Sequence, residues 1–143
     1  MHPAPTWRLG HVIIAVSRAT WSDSVEHLSF DVRGEFTEYL MARPSLSGTI
    51  SVGTERPVER LGQRVQLVVG EDNDLSLYTG VHVRPKALSV TIEEVEGRSM
   101  RARLDGIADV EWDDLLGRDV PFTIEGWFGA EERPAWWPTE TER

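Results

Sequence analysis

The chain has no cysteine, so neither a disulfide framework nor thiolate chemistry is available to it. That fits a reducing, cytoplasmic setting. Lysine is almost missing as well: of the 15 basic residues only Lys86 is a lysine, which reads as the codon bias of a GC-rich bacterial genome. Against those 15 stand 24 acidic residues, for a net charge of −9. The balance excludes unaided binding to nucleic acid or to an anionic membrane, both of which need a basic surface. It suits a basic protein partner. No segment approaches the roughly 20 apolar residues of a membrane span. Met1 to Thr6 carries no basic region, and Val12 to Val16 is too short for the apolar core of a signal peptide. Internal repeats, low-complexity tracts and long helical patterns are also lacking.

What is present is alternation. The 143 residues are enough for one domain with a real core. From Leu88 to Trp112 apolar residues hold the even positions: Leu88, Val90 and Ile92, then Met100, Ala102 and Leu104, and onward through Gly106, Ala108, Val110 and Trp112. Period two marks strands with one buried face. A three-residue loop, Val95-Glu96-Gly97, with glycine last in a G1 bulge, would pair Ile92 with Met100, Val90 with Ala102, and Leu88 with Leu104. It would set Glu94 opposite Arg98. The long second arm is expected to bend at Gly106.

Elsewhere the same reading gives further strands. Trp7 to Val16 reads as one strand, apolar on both faces, central in a sheet or at a subunit contact. Arg18 to Ser24 reads as a polar loop carrying Trp21. Leu28, Phe30, Val32 and Phe36 share an inner phase, and Thr37 to Arg43 is one helical turn or more strand. Leu46, Gly48, Ile50 and Val52 follow. Val65, Leu67 and Val69 face inward, and a turn at Gly70–Asp74 would pair Leu67 with Leu77, with Val81 and Val83 continuing inward. Val120, Phe122, Ile124, Gly126 and Phe128 form the last inner phase, with Val110 facing Phe122.

The expectation is an all-β fold of about eight antiparallel strands in residues 1–129, followed by a tail, 130–143, containing Trp136-Trp137 and two prolines. An up-and-down barrel and a two-sheet sandwich both fit. Meander-like spacing and inner-phase glycines (Gly34, Gly48, Gly106, Gly126) favour the barrel, whose interior holds packed side chains or one small ligand. The segment HLSFDVRGEFTEYLMARPSLSGTISVG, His27 to Gly53, adds a resemblance. Its Tyr39-Leu40 bend followed by Leu46-Ser47-Gly48-Thr49-Ile50 is similar to the start of lipocalin-like β-domains found beside actinobacterial flavin-dependent alcohol oxidoreductases. The resemblance implies a calycin-like barrel. It transfers no catalytic residue, and the flavin-binding glycine motif of the partner enzymes is absent.

Chemistry-bearing patterns are few. His11, among apolar neighbours, is the candidate interior proton donor or acceptor; the alternative is a structural histidine. Asp23 and His27 flank Ser22 and Ser24, but no nucleophile elbow accompanies them. Asp72, Asn73 and Asp74 lack the spaced ligands and distal Glu of a calcium loop. The adjacent pairs Asp113-Asp114 and Glu131-Glu132 cannot aim at one point. No zinc spacing occurs, and no cofactor is expected. The aromatic residues remain. With His11, the side chains of Phe30, Phe36, Met100, Trp112, Phe122 and Phe128 would line an apolar cavity closed at one mouth by Trp112; equally, they would fill a core. Trp127 and Tyr78 fall on outward phases, either in a contact surface or covered by the tail.

Two functions follow. One is a barrel that binds an apolar small molecule, as a cyclase-like template in bacterial secondary metabolism; any activity would then be a cofactor-independent cyclization or isomerization. The other is an acidic protein-binding module such as a bacterial immunity or inhibitor protein. A homodimer through the two-faced first strand is a further expectation.

Overall fold

In a computed structural model of the chain, residues 2–24, 27–51, 65–68, 74–110 and 117–130 are described. They form eleven strands and no helix. The strands are β1 (Thr6–Leu9), β2 (Val12–Ile14), β3 (Val16–Ser24), β4 (His27–Gly34), β5 (Ser45–Ser51) and β6 (Val65–Val68). β7 (Asp74–Tyr78), β8 (His82–Val83), β9 (Ala87–Glu96), β10 (Ser99–Val110) and β11 (Gly117–Ala130) complete them. All belong to one mixed sheet of order β6-β9-β10-β11-β3-β4-β5-β7-β8, with the β1–β2 hairpin paired to β11 beside β3. Every ladder is antiparallel except the short β11–β3 contact at Gly129↔Thr20 and Ala130↔Trp21.

The sheet buries one face. Inward side chains from β1 to β5, β7 and β9 to β11, with Leu40 from a turn, make a single apolar cluster. No helix covers that face among the described residues, and the sheet curls, as twisted sheets of many strands do. β8, at one end of the strand order, accordingly lies against β10, near the other end. Among the described residues no ladder joins β6 to β7 or β8, so barrel closure is not part of the observed pairing. The expected Leu67–Leu77 pair is replaced: Leu67 lies opposite Val90, and Leu77 opposite Leu46 and Val83.

Both tight hairpins turn on a glycine placed first of two loop residues. Gly10-His11 joins β1 to β2 and Gly97-Arg98 joins β9 to β10, with φ of 57° and 60° at the glycines. A glycine at the first central position is what a type II′ turn selects, and the turn's twist matches that of its strands. This splits the expected Trp7–Val16 strand in two. It also changes the β9–β10 register by two residues: Ile92 faces Ala102, Val90 faces Leu104 and Leu88 faces Gly106. Inner parity survives the shift. An extra residue, Glu93, bulges out of β9, so that Glu94 pairs with Arg101 and Val95 turns toward the core opposite Met100.

A second bulge, at Ser17, makes a strand of the expected Arg18–Ser24 loop. The extra residue switches the inward parity from even to odd, setting Ala19 against Val32 and Trp21 against Phe30. Trp21 is consequently buried, and its indole N–H donates to the Arg98 carbonyl at 3.3 Å, tying β3 to the β9–β10 turn. β10 runs through Gly106 without interruption; the glycine makes room for the Phe122 ring, its cross-strand partner, where Val110 had been expected. Val110 pairs with Gly117 instead, beyond a third irregularity.

Candidate functional site

The seven residues expected to line a cavity separate into three groups. Phe30, Met100, Phe122 and Phe128 are fully buried, and Phe30 meets Phe128 edge to face with ring centroids 5.4 Å apart. These four share one interior. His11 and Phe36 do not join them. His11 occupies the exposed β1–β2 turn, where its ring meets Tyr39 edge-on at 5.1 Å, so it is no interior proton donor. Phe36 is 53% exposed because β4 ends at Gly34, where Pro44 and Ala15 take over the backbone hydrogen bonding of Gly34 and Glu35. Trp112 lies outside the described residues, as do the Asp113-Asp114 and Glu131-Glu132 pairs, Asp72, Asn73 and the tail beyond Ala130. Asp74 is exposed and lies 4.0 Å from Arg84. Among the described residues no three His, Cys, Asp or Glu side chains could hold a metal ion together.

The interior contains two polar atoms that no sequence pattern had marked. The indole N–H of Trp7 and the hydroxyl of Thr79 are both buried without a hydrogen-bond partner among the described residues. Trp7 faces inward with Leu9, Val12 and Ile14 because the Gly10-His11 turn folds β2 back onto β1. An unmet buried donor costs about 1–3 kcal/mol, so such groups call for an explanation. Recognizing Gly10-His11 as a two-residue hairpin turn would have shown Trp7 as interior.

The outer surface carries a second feature. Ile13 is 68% exposed and Met41 75%, and Phe36 and Tyr39 are also exposed. They come from two adjoining segments, β2 and the turn over 35–42. Glu35 N–H donates to the Ala15 carbonyl at 2.8 Å and the His11–Tyr39 ring contact joins the turns. The 35–42 segment is neither helix nor strand: Thr37 and Ala42 form an isolated bridge, and the Thr37 hydroxyl accepts from Leu40 N–H at 3.1 Å. Leu40 thereby enters the core. Met41 is held in the left-handed region, with φ of 55°, which costs a residue with a side chain about 1–2 kcal/mol. Val81, expected inside, is likewise exposed. Of the outward aromatics, Trp127 is stacked on His2 at 3.8 Å and Tyr78 lies against His82.

Charge is concentrated at the third bulge. Lys86 Nζ reaches Asp119 at 2.7 Å and Asp109 at 3.2 Å, while Asp119 N–H donates to Asp109 Oδ1 at 2.9 Å. Asp119 has φ of 50°, so the ion pairs clamp the irregular start of β11 onto β10. The hydrogen bond to Asp119, then that to Asp109, holds the Lys86 ammonium's pKa above its ordinary value. This arrangement is a structural clamp.

Comparison of the chain with protein-family models, curated proteins and solved structures found no match. No described helix is long and apolar enough to cross a membrane. Fold and surface define an all-β domain whose one mixed sheet buries an apolar face and which exposes Ile13, Phe36, Tyr39 and Met41 beside the β1–β2 hairpin.

Proposed function

We propose that the chain is an acidic protein-binding module and that the patch formed by Ile13, Phe36, Tyr39 and Met41 is its contact surface. The carrying observation is that these four large apolar side chains are exposed on two adjoining segments. Contiguous apolar surface of this kind marks interaction sites. Glu35 and Glu38, both exposed, lie among them, and with the net charge of −9 they fit a partner whose contact face is apolar at its centre and basic around it. An inhibitor or immunity-type role belongs to this class. The test is affinity capture at native expression with the wild type and with Phe36→Glu/Met41→Glu. A stoichiometric partner lost by the double variant, while its thermal transition stays unchanged, supports the reading. Equal recovery by both proteins, or recovery of nothing by either, removes it.

A second reading keeps the small-molecule hypothesis, favoured by the orphan Trp7 N–H. Here the curled sheet closes as a calycin-like barrel, consistent with the resemblance over residues 27–53. An apolar ligand carrying one carbonyl would then accept from Trp7. Titration with 2-undecanone, followed by the Trp7 indole N–H resonance, tests it. A saturable shift supports ligand entry; no shift and no thermal stabilization refute it.

A further inference from the structure

The outer face opposite the core carries a groove of about 670 Å³, a size suited to a small ligand. β11 forms its floor, the N-terminal segment and β1 one side, and β10 the other. Two strand spacings, roughly 10 Å, separate the sides. Pro3, Ala4 and Trp127 make one end apolar. Trp127 is fixed there by the His2 ring stacked 3.8 Å away.

Three arginines, Arg8, Arg101 and Arg103, enter the same groove. Two of them are already engaged. Arg101 Nε lies 3.2 Å from Glu93. Arg103 reaches Asp105 at 2.9 Å and Glu125 at 3.3 Å. Asp105 also accepts from the Thr123 hydroxyl at 3.0 Å. The three carboxylates around the groove are therefore committed, and they orient the guanidinium groups of Arg101 and Arg103. Arg8, opposite Thr123 on β1, has no ion pair or hydrogen bond from its side chain among the described residues. An exposed guanidinium with no counter-ion among the described residues, at the end of the groove away from Trp127, offers paired N–H donors to an oxyanion whose body reaches along β11 toward that ring.

We propose that this groove binds a small oxyanion on a planar or apolar body, a carboxylate or a phosphate, with Arg8 as its principal anchor and Trp127 against its body. The site lies on the outer face of the sheet and is independent of both functional readings above.

The probe is pyranine, a planar trisulfonate too polar for the protein core, titrated at low salt and read by fluorescence anisotropy. Wild-type protein binds it saturably. Arg8→Ser weakens binding about tenfold, the loss of one charge-assisted anchor. Arg33→Ser, which removes the same charge from β4 beside a different surface groove, leaves binding unchanged. Phenyl phosphate and benzoate serve as competitors, and displacement by either supports the site while ranking the two oxyanions. Absence of saturable binding, displacement by neither competitor, or equal weakening by Arg8→Ser and Arg33→Ser overturns the proposal.

Discussion

Replacing Gly106 by alanine sets two effects of opposite sign against each other. Gly106 is not in the left-handed region, so alanine can adopt its backbone conformation. Fewer unfolded conformations would then favour the variant by about 0.4–1 kcal/mol. Against this, the new Cβ would overlap the edge of the Phe122 ring and come within 2.9 Å of the Ala87 carbonyl oxygen. Phe122 cannot swing into solvent, because it is 2% exposed and held in the common core. The carbonyl belongs to β9, so it cannot yield without disturbing the neighbouring ladder. Overpacking of this kind costs about 1–3 kcal/mol, and the net expectation is a loss of roughly 1–2 kcal/mol. Urea denaturation followed by tryptophan fluorescence measures it, with an unchanged m-value as the sign that only stability has moved. In Gly106→Ala/Phe122→Leu the overlap with the ring is gone while the close approach to the Ala87 carbonyl remains, so the double variant should be more stable than the sum of the single losses by about 1 kcal/mol. A Gly106→Ala protein as stable as wild type, or strictly additive losses, would refute the idea that the glycine exists to seat the ring.

Met41→Gly should raise stability by about 0.5–1 kcal/mol in the same denaturation assay, since glycine relieves the left-handed strain at a side chain that is 75% exposed. If Met41 belongs to a contact surface, the variant should also lose its captured partner, separating stability from binding. Lys86→Met should flatten the alkaline limb of the stability curve. The hydrogen bonds to Asp119 and Asp109 raise the folded pKa above 10.5, so their stabilization is complete below the unfolded value and is lost as pH rises through the folded one. As pH rises above about 10.5 the wild-type melting temperature should therefore fall further than that of Lys86→Met; parallel curves would show that the clamp does not act in the folded state.

Period-two alternation exposed most of the core because a strand paired in the sheet has no freedom to choose its inward face. Leu28, Phe30 and Val32, Leu75 and Leu77, and Val120 to Phe128 are buried as their phase requires. The reading failed where one extra residue changes the phase. Ser17 hid a nine-residue strand and the burial of Trp21 behind an apparently polar loop. Glu93 turned Val95 inward in β9. A bulge is invisible in a pattern that is defined by the absence of bulges. The β9–β10 register failed differently. Parity allows shifts of two residues, and only the turn geometry at Gly97-Arg98 selects among them.

The candidate contact surface was illegible for a related reason. Phe36 sits in phase with Leu28, Phe30 and Val32, and phase implies burial only while the strand that carries it continues. Whether β4 continues beyond Gly34 depends on what occupies the next positions along its edges. There Pro44 and Ala15, distant in sequence, take the hydrogen bonds of Gly34 and Glu35. Pro44 ends the segment that sends Leu40 inward and Met41 outward, so one long-range contact both truncates the strand and presents the patch. The apolar residues on this surface are thus not surplus core. They are the side chains that the local fold turns away from a core already filled by Leu40, Ile14 and Val32, and their exposure is a property of tertiary structure that periodicity has no means to encode.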